Sequence, residues 1–73
     1  MPRLVVKDGD LVKILVKHYD FYIASRKGSH IKLSDRRGHV FEGVVHNDEV
    51  TPGALSAMLR QTGLRKEDIE KYA

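Results

Sequence analysis

With 73 residues, residues 1–73 are read as one small domain; a chain this short buries only about 60 to 65% of its unfolded surface, so its core is small. The absence of cysteine excludes disulfides and thiolate metal sites. No apolar run approaches the ~20 residues of a bilayer span, and the segment Met1 to Val6 is shorter than the apolar part of a signal peptide, so the expectation is a cytoplasmic protein with no membrane association. The net charge is +3, from 13 basic and 10 acidic residues, and it is uneven: Arg26, Lys27, Lys32, Arg36 and Arg37 face only Asp35 between residues 26 and 39. That concentration around one histidine, His30, is the footprint of a phosphate-bearing partner, or simply of a solvated basic turn.

Leu11, Ile14, Leu15 and His18 recur at helical spacing with Lys13 and Lys17 on the other side. They predict a first helix that Asp8 or Asp10 can cap, both also complementing its dipole. Three strand-like runs follow, Phe21 to Ser25, His30 to Ser34 and Val40 to Val45. The connections Arg26-Lys27-Gly28-Ser29 and Asp35-Arg36-Arg37-Gly38-His39 have hairpin length and a glycine for a left-handed position, so the runs form an antiparallel meander. Thr51-Pro52 is a helix-start signal, threonine as N-cap and proline in the first turn. Leu55, Met58, Leu59 and Thr62 supply one face of that helix, and Gly63 fits a left-handed stop of the Schellman kind, with Leu64 against Leu59. Arg65 to Tyr72 forms a short last helix. The order helix, three strands, helix, helix predicts an α+β sandwich: a three-stranded antiparallel sheet with the helices on one face.

With Ile31, Leu33, Phe41 and Val45 turned toward the helices, alternation leaves His30, Lys32, Val40, Glu42 and Val44 on the open face. Valines exposed beside a basic site suggest that a partner covers this surface. His30 opens a hairpin arm directly after Gly28-Ser29, held by the sheet and reachable from solvent. Histidine titrates near ~6.5 and suits general-base work. With a phosphate-bearing partner, such a base needs cations nearby for the charge that develops on phosphorus. Lys32, two residues on and on the same face, is the candidate for that charge.

The run from Phe21 to His30, then Val44-Val45-His46, then Pro52-Gly53-Ala54-Leu55 leading into Met58-Leu59-Arg60-Gln61-Thr62-Gly63-Leu64, resembles the HicA toxin family of bacterial and archaeal toxin–antitoxin systems from about Asp8 onward. Gly-Ser-His alone is a weak motif; the order and spacing of the three segments carry the likeness. The resemblance implies a double-stranded-RNA-binding-domain-like fold, cleavage of messenger RNA, His30 as the catalytic histidine, and a HicB antitoxin as inhibitory partner. RNA carries its own nucleophile, the 2′-hydroxyl, so a base for that proton and cations for the phosphoryl charge suffice, and the scheme requires no metal or cofactor. It departs at Ala54, where the family commonly has threonine, and at Arg65, where a serine usually caps the last helix.

On this reading Arg26, Lys27, Ser29, Arg36 and Arg37 bind RNA, Lys32 and His46 support catalysis, and Tyr22, Val40 and Val44 meet the antitoxin. His46 fits two roles, acid toward the leaving oxygen or a loop residue capping the next turn. His18 reads as a packed helix-end residue and His39 as a turn residue. The four histidines lack the paired spacing of a zinc site. Two function classes remain at this point, a metal-independent endoribonuclease toxin and a non-catalytic RNA-binding module, and cleavage alone separates them.

Overall fold

The computed structural model describes residues 5–46 and 48–73. The order is α1 (Asp8–His18), β1 (Tyr22–Lys27), β2 (His30–Ser34), β3 (Val40–Val44), α2 (Pro52–Thr62) and α3 (Lys66–Glu70). The strands form one antiparallel sheet in the order β1-β2-β3, with α1 packed against β1 and α2 against β3. This is the expected α+β sandwich.

Helix α1 buries Leu11, Ile14 and Leu15, one stripe at helical spacing. Asp8 and Asp10 lie in its first turn and Lys17 and His18 in its last, so both ends complement the helix dipole. Neither aspartate is the N-cap. Lys7 holds that position without a side-chain bond, because the N-terminal segment is pinned from outside: Asp8 N–H donates to Asp48 O (2.9 Å) and Val50 N–H to Val6 O (2.8 Å). The chain leaves α1 through Asp20 at φ 61°, a left-handed position that aspartate tolerates better than most residues.

Helix α2 begins as its sequence dictates. Thr51 caps it by accepting from Ala54 N–H (3.2 Å), with Pro52 in the first turn. It ends at Gly63, φ 74°, but the ending is the simpler left-handed motif rather than a Schellman one. Gly63 N–H donates to Leu59 O (3.0 Å), while Leu64 N–H turns to the Thr62 hydroxyl (3.4 Å). The last helix is shorter than Arg65 to Tyr72: it spans Lys66–Glu70 and gives way to a turn. At its start the Asp68 carboxylate accepts from Arg65 N–H (2.9 Å), half of a capping box, consistent with an arginine where a cap would stand.

The core comprises Val6, Leu11, Ile14, Leu15, Phe21, Ile31, Leu33, Leu55, Met58 and Ile69. Ile69 brings α3 into it, fully buried. Two further contacts tie α3 and the turn after it to the C-terminal end of α1: the Tyr19 hydroxyl donates to Asp68 O (2.6 Å), and His18 stacks on Tyr72 with ring centroids 3.6 Å apart. Burial first, then the nearby Asp68 and Tyr72, pushes the Tyr19 phenol above its usual range. His18 therefore lies exposed on the helix surface rather than in the apolar face, packed ring on ring.

Candidate functional site on the open sheet face

The two faces of the sheet are set by β2, where Ile31 and Leu33 are buried and His30 and Lys32 are exposed. Phe41 and Val45 pack partly against the core, as alternation requires. Strand β1 does not alternate simply. Its pairing with β2 runs Lys27↔His30, Arg26↔Ile31, Ser25↔Lys32, then Ile23↔Leu33 and Tyr22↔Ser34, with a bulge at Ala24. Because one residue is left over, Tyr22, Ser25 and Lys27 all share the face of His30, while Ile23 and Arg26 fall on the helix side.

Combined with the pairing of β2 and β3, the open face consists of three cross-strand rows: Lys27–His30–Val44, Ser25–Lys32–Glu42 and Tyr22–Ser34–Val40. Successive rows are two residues apart, about 6.6 Å along the strands. A shallow cleft over the first two rows is lined by Ser25, Lys27, His30, Lys32, Glu42 and the Ile31 and Gly43 backbone positions.

His30 is placed by the tight turn before it. Gly28 has φ 59° and Ser29 has no positive φ, so the two-residue loop follows the type II′ pattern with glycine at its first central position. The hairpin loop is Gly28-Ser29 alone, since Arg26 and Lys27 belong to the strand. Val45 N–H donates to Ser29 O (2.8 Å), tying this turn to the chain just after β3. The His30 side chain is exposed, and among the described residues no hydrogen bond holds its ring, which leaves both ring nitrogens free for a substrate.

The other expected residues divide. Lys27 and Lys32 stand beside His30. Glu42 was given no role from sequence, yet its Oε1 lies 3.8 Å from Lys32 Nζ, with both side chains largely exposed. Its opposite charge in the register row of Lys32 was the signal for it. Arg26 and Ser29 are not brought to this surface; they line a cleft on the helix side with Lys13, Ile23 and Val45. Arg36 and Arg37 lie in the β2–β3 loop beyond Ser34, beside Asp20 and Phe21, at the end of the sheet away from His30. The basic residues therefore do not cluster around His30; they are spread along the length of β2. Val40 and Val44 are exposed on the open face as expected, as is Tyr22. His46 lies two residues past Val44, the cross-strand neighbour of His30, and its N–H donates to the Asp8 carboxylate (3.0 Å).

The far loop has its own order, which sequence reasoning missed by treating His39 as a plain turn residue. The Asp35 carboxylate accepts from Arg37 N–H (2.9 Å) and His39 N–H (2.8 Å), and its second oxygen lies 2.9 Å from His39 Nδ1. Burial pushes the Asp35 carboxyl up, but the hydrogen bond from the His39 ring, the two backbone N–H groups and the electrostatic attraction of that same ring together outweigh it and hold it below the usual carboxylate range. His39 also packs on Gly63: a Cβ there would stand 2.9 Å from His39 Nε2. The loop presenting Arg36 and Arg37 is thus braced at both ends of its turn.

Among the described residues, no helix is long and apolar enough to cross a membrane. Comparison with curated proteins finds no match. The family model for HicA toxin of bacterial toxin-antitoxin systems matches residues 9–64, which run from the first turn of α1 to just beyond α2 and include every residue of the open face. With that match spanning most of the chain, and with His30 displayed on the sheet, the protein belongs to the HicA toxin family.

Proposed function

We propose that this toxin is an endoribonuclease that cleaves messenger RNA in the cytoplasm, with His30 as general base. Membership of the family implies an antitoxin partner. The observation that carries the enzymatic reading is the exposed His30, flanked in its row by Lys27 and one row from Lys32. The His30 imidazole takes the proton of a 2′-hydroxyl, and the freed oxygen attacks the adjacent phosphorus. The bond to the 5′-oxygen breaks, leaving a 2′,3′-cyclic phosphate on one fragment and a 5′-hydroxyl on the other. Lys32 and Lys27 stabilise the negative charge that builds on the phosphoryl oxygens, and His46, at the same end of the sheet, is the candidate proton donor to the leaving oxygen. No cofactor or metal enters this scheme.

The antitoxin we propose is of the HicB type, seated on the open face over Tyr22, Val40 and Val44, so that it silences the enzyme by covering His30. Exposed apolar side chains beside cations suit a partner carrying apolar and acidic groups. A mixed-sequence RNA incubated with purified protein in EDTA tests the reaction. His30→Ala should reduce cleavage at least about 10²-fold while the thermal midpoint stays in place; a variant cutting at more than about a tenth of the wild-type rate would move the chemistry elsewhere.

A further inference from the structure

The third row of the open face carries an aromatic ring that the reaction above does not use. Tyr22 is 51% exposed and makes none of the ring contacts that hold Tyr19 and Tyr72. Its row neighbours are Ser34 and Val40, small side chains that leave the ring accessible. The bulge at Ala24 is what brings it here, because uninterrupted alternation from Lys27 would put residue 22 on the helix side. Lys27 stands beside His30 at one end of this face, and Arg36 and Arg37 lie in the loop past Ser34 at the other end of the sheet, where they line a cleft with Val16, Tyr19, Asp20 and Phe21. A polyanionic strand that runs from Lys27 along the open face to that loop passes over the Tyr22 row.

We propose that Tyr22 is a stacking platform for one base of single-stranded RNA, two rows or about 13 Å from His30, with the strand continuing to Arg36 and Arg37. This rests on the ribonuclease reading and adds to it a binding subsite and a direction. Cationic tracks interleaved with aromatic rings are how proteins hold single strands without reading every base, since any base offers a π-face. A protein partner would also cover Tyr22, Val40 and Val44, and the two uses are compatible, since an antitoxin seated on the ring blocks the path of the strand; the cations at both ends of the sheet are what favour a polyanion.

The test uses the full chain and a short 2′-O-methyl strand, which lacks the nucleophile and stays intact. Tyr22→Ala should weaken binding roughly 5- to 100-fold, the usual range for one stacked base, while Tyr22→Phe binds like wild type. Because the protein has no tryptophan, Tyr22→Trp supplies a reporter whose emission should be quenched on binding. An abasic site moved along the strand should cost wild type most at one position, about two nucleotides from the bond that is cut in the corresponding RNA, and that local cost should vanish in Tyr22→Ala. Wild-type affinity and an unchanged abasic profile in Tyr22→Ala would overturn the inference, as would a loss of antitoxin affinity alone, which would make Tyr22 a protein contact. If wild type fails to cut a 2′-hydroxyl strand, the ribonuclease reading falls separately, and the binding arms still decide Tyr22.

Discussion

Replacing Glu42 with glutamine removes the only negative side chain from the three rows of the open face and keeps its size. The Lys32–Glu42 pair is 3.8 Å apart, with side chains 46% and 70% exposed; such pairs contribute at most about 1 kcal/mol to folding, so Glu42→Gln should hardly move the thermal midpoint. RNA binding should respond more. If Glu42 offsets Lys32, wild type offers three cations to a strand, Lys27, Arg36 and Arg37, and the substitution restores a fourth. With a log–log salt slope of about −0.7 per phosphate on single strands, raising salt from about 50 to about 200 mM should weaken wild type roughly 20-fold and Glu42→Gln roughly 50-fold. Tighter binding at low salt with a steeper slope is the expected titration, and the cleavage rate at saturating RNA should be retained. An unchanged slope would mean that Lys32 meets no phosphate. A loss of cleavage of 10²-fold or more would make Glu42 a proton carrier rather than a charge brake.

Val44→Asp should weaken antitoxin binding while cleavage persists, because Val44 is 43% exposed beside His30 without touching the proposed chemistry; full inhibition of this variant in a titration would place the antitoxin on another surface. Ile69→Ala removes a fully buried side chain and should cost about 2 to 5 kcal/mol, read as a large drop in the urea midpoint. A shift worth under about 1 kcal/mol would mean that α3 is not docked on the core. Asp35 has its folded-state pKa below the unfolded value of about 3.9. Its contribution is therefore complete above that value and is lost as pH falls through the folded pKa. Asp35→Asn should flatten the acid limb of stability against pH, and a limb as steep as that of wild type would remove Asp35 from acid unfolding.

Much of this architecture is written in local chemistry. Thr51, Pro52 and Gly63 delimit α2 because capping and a left-handed stop depend on the residues at the ends themselves. The alternation of β2 and β3 assigns Ile31 and Leu33 to the core and His30 and Lys32 to the open face because the strand period is two. The position of His30 after Gly28 was legible for the same reason, since a positive φ at that site wants glycine.

Only tertiary structure decided the rest. The bulge at Ala24 exists through pairing with β2, and nothing in Tyr22-Ile23-Ala24-Ser25-Arg26-Lys27 marks it. Yet it turns Tyr22 onto the face of His30 and Ile23 onto the helix side, the reverse of what unbroken alternation from Lys27 would give. A cluster of basic residues in sequence became a line in space because a three-stranded meander puts its two loops at opposite ends of the sheet. His39 became a brace only when the loop closed around Asp35 and α2 delivered Gly63 beside it. Helix α3 is five residues long, too short to be stable by propensity, and is held by Ile69, Tyr19 and His18, partners up to 54 residues apart in sequence. Capping, turns and alternation act within a few residues and can be read along the chain; register, bulges and docking depend on which segments meet, and that is settled by burial of the shared core.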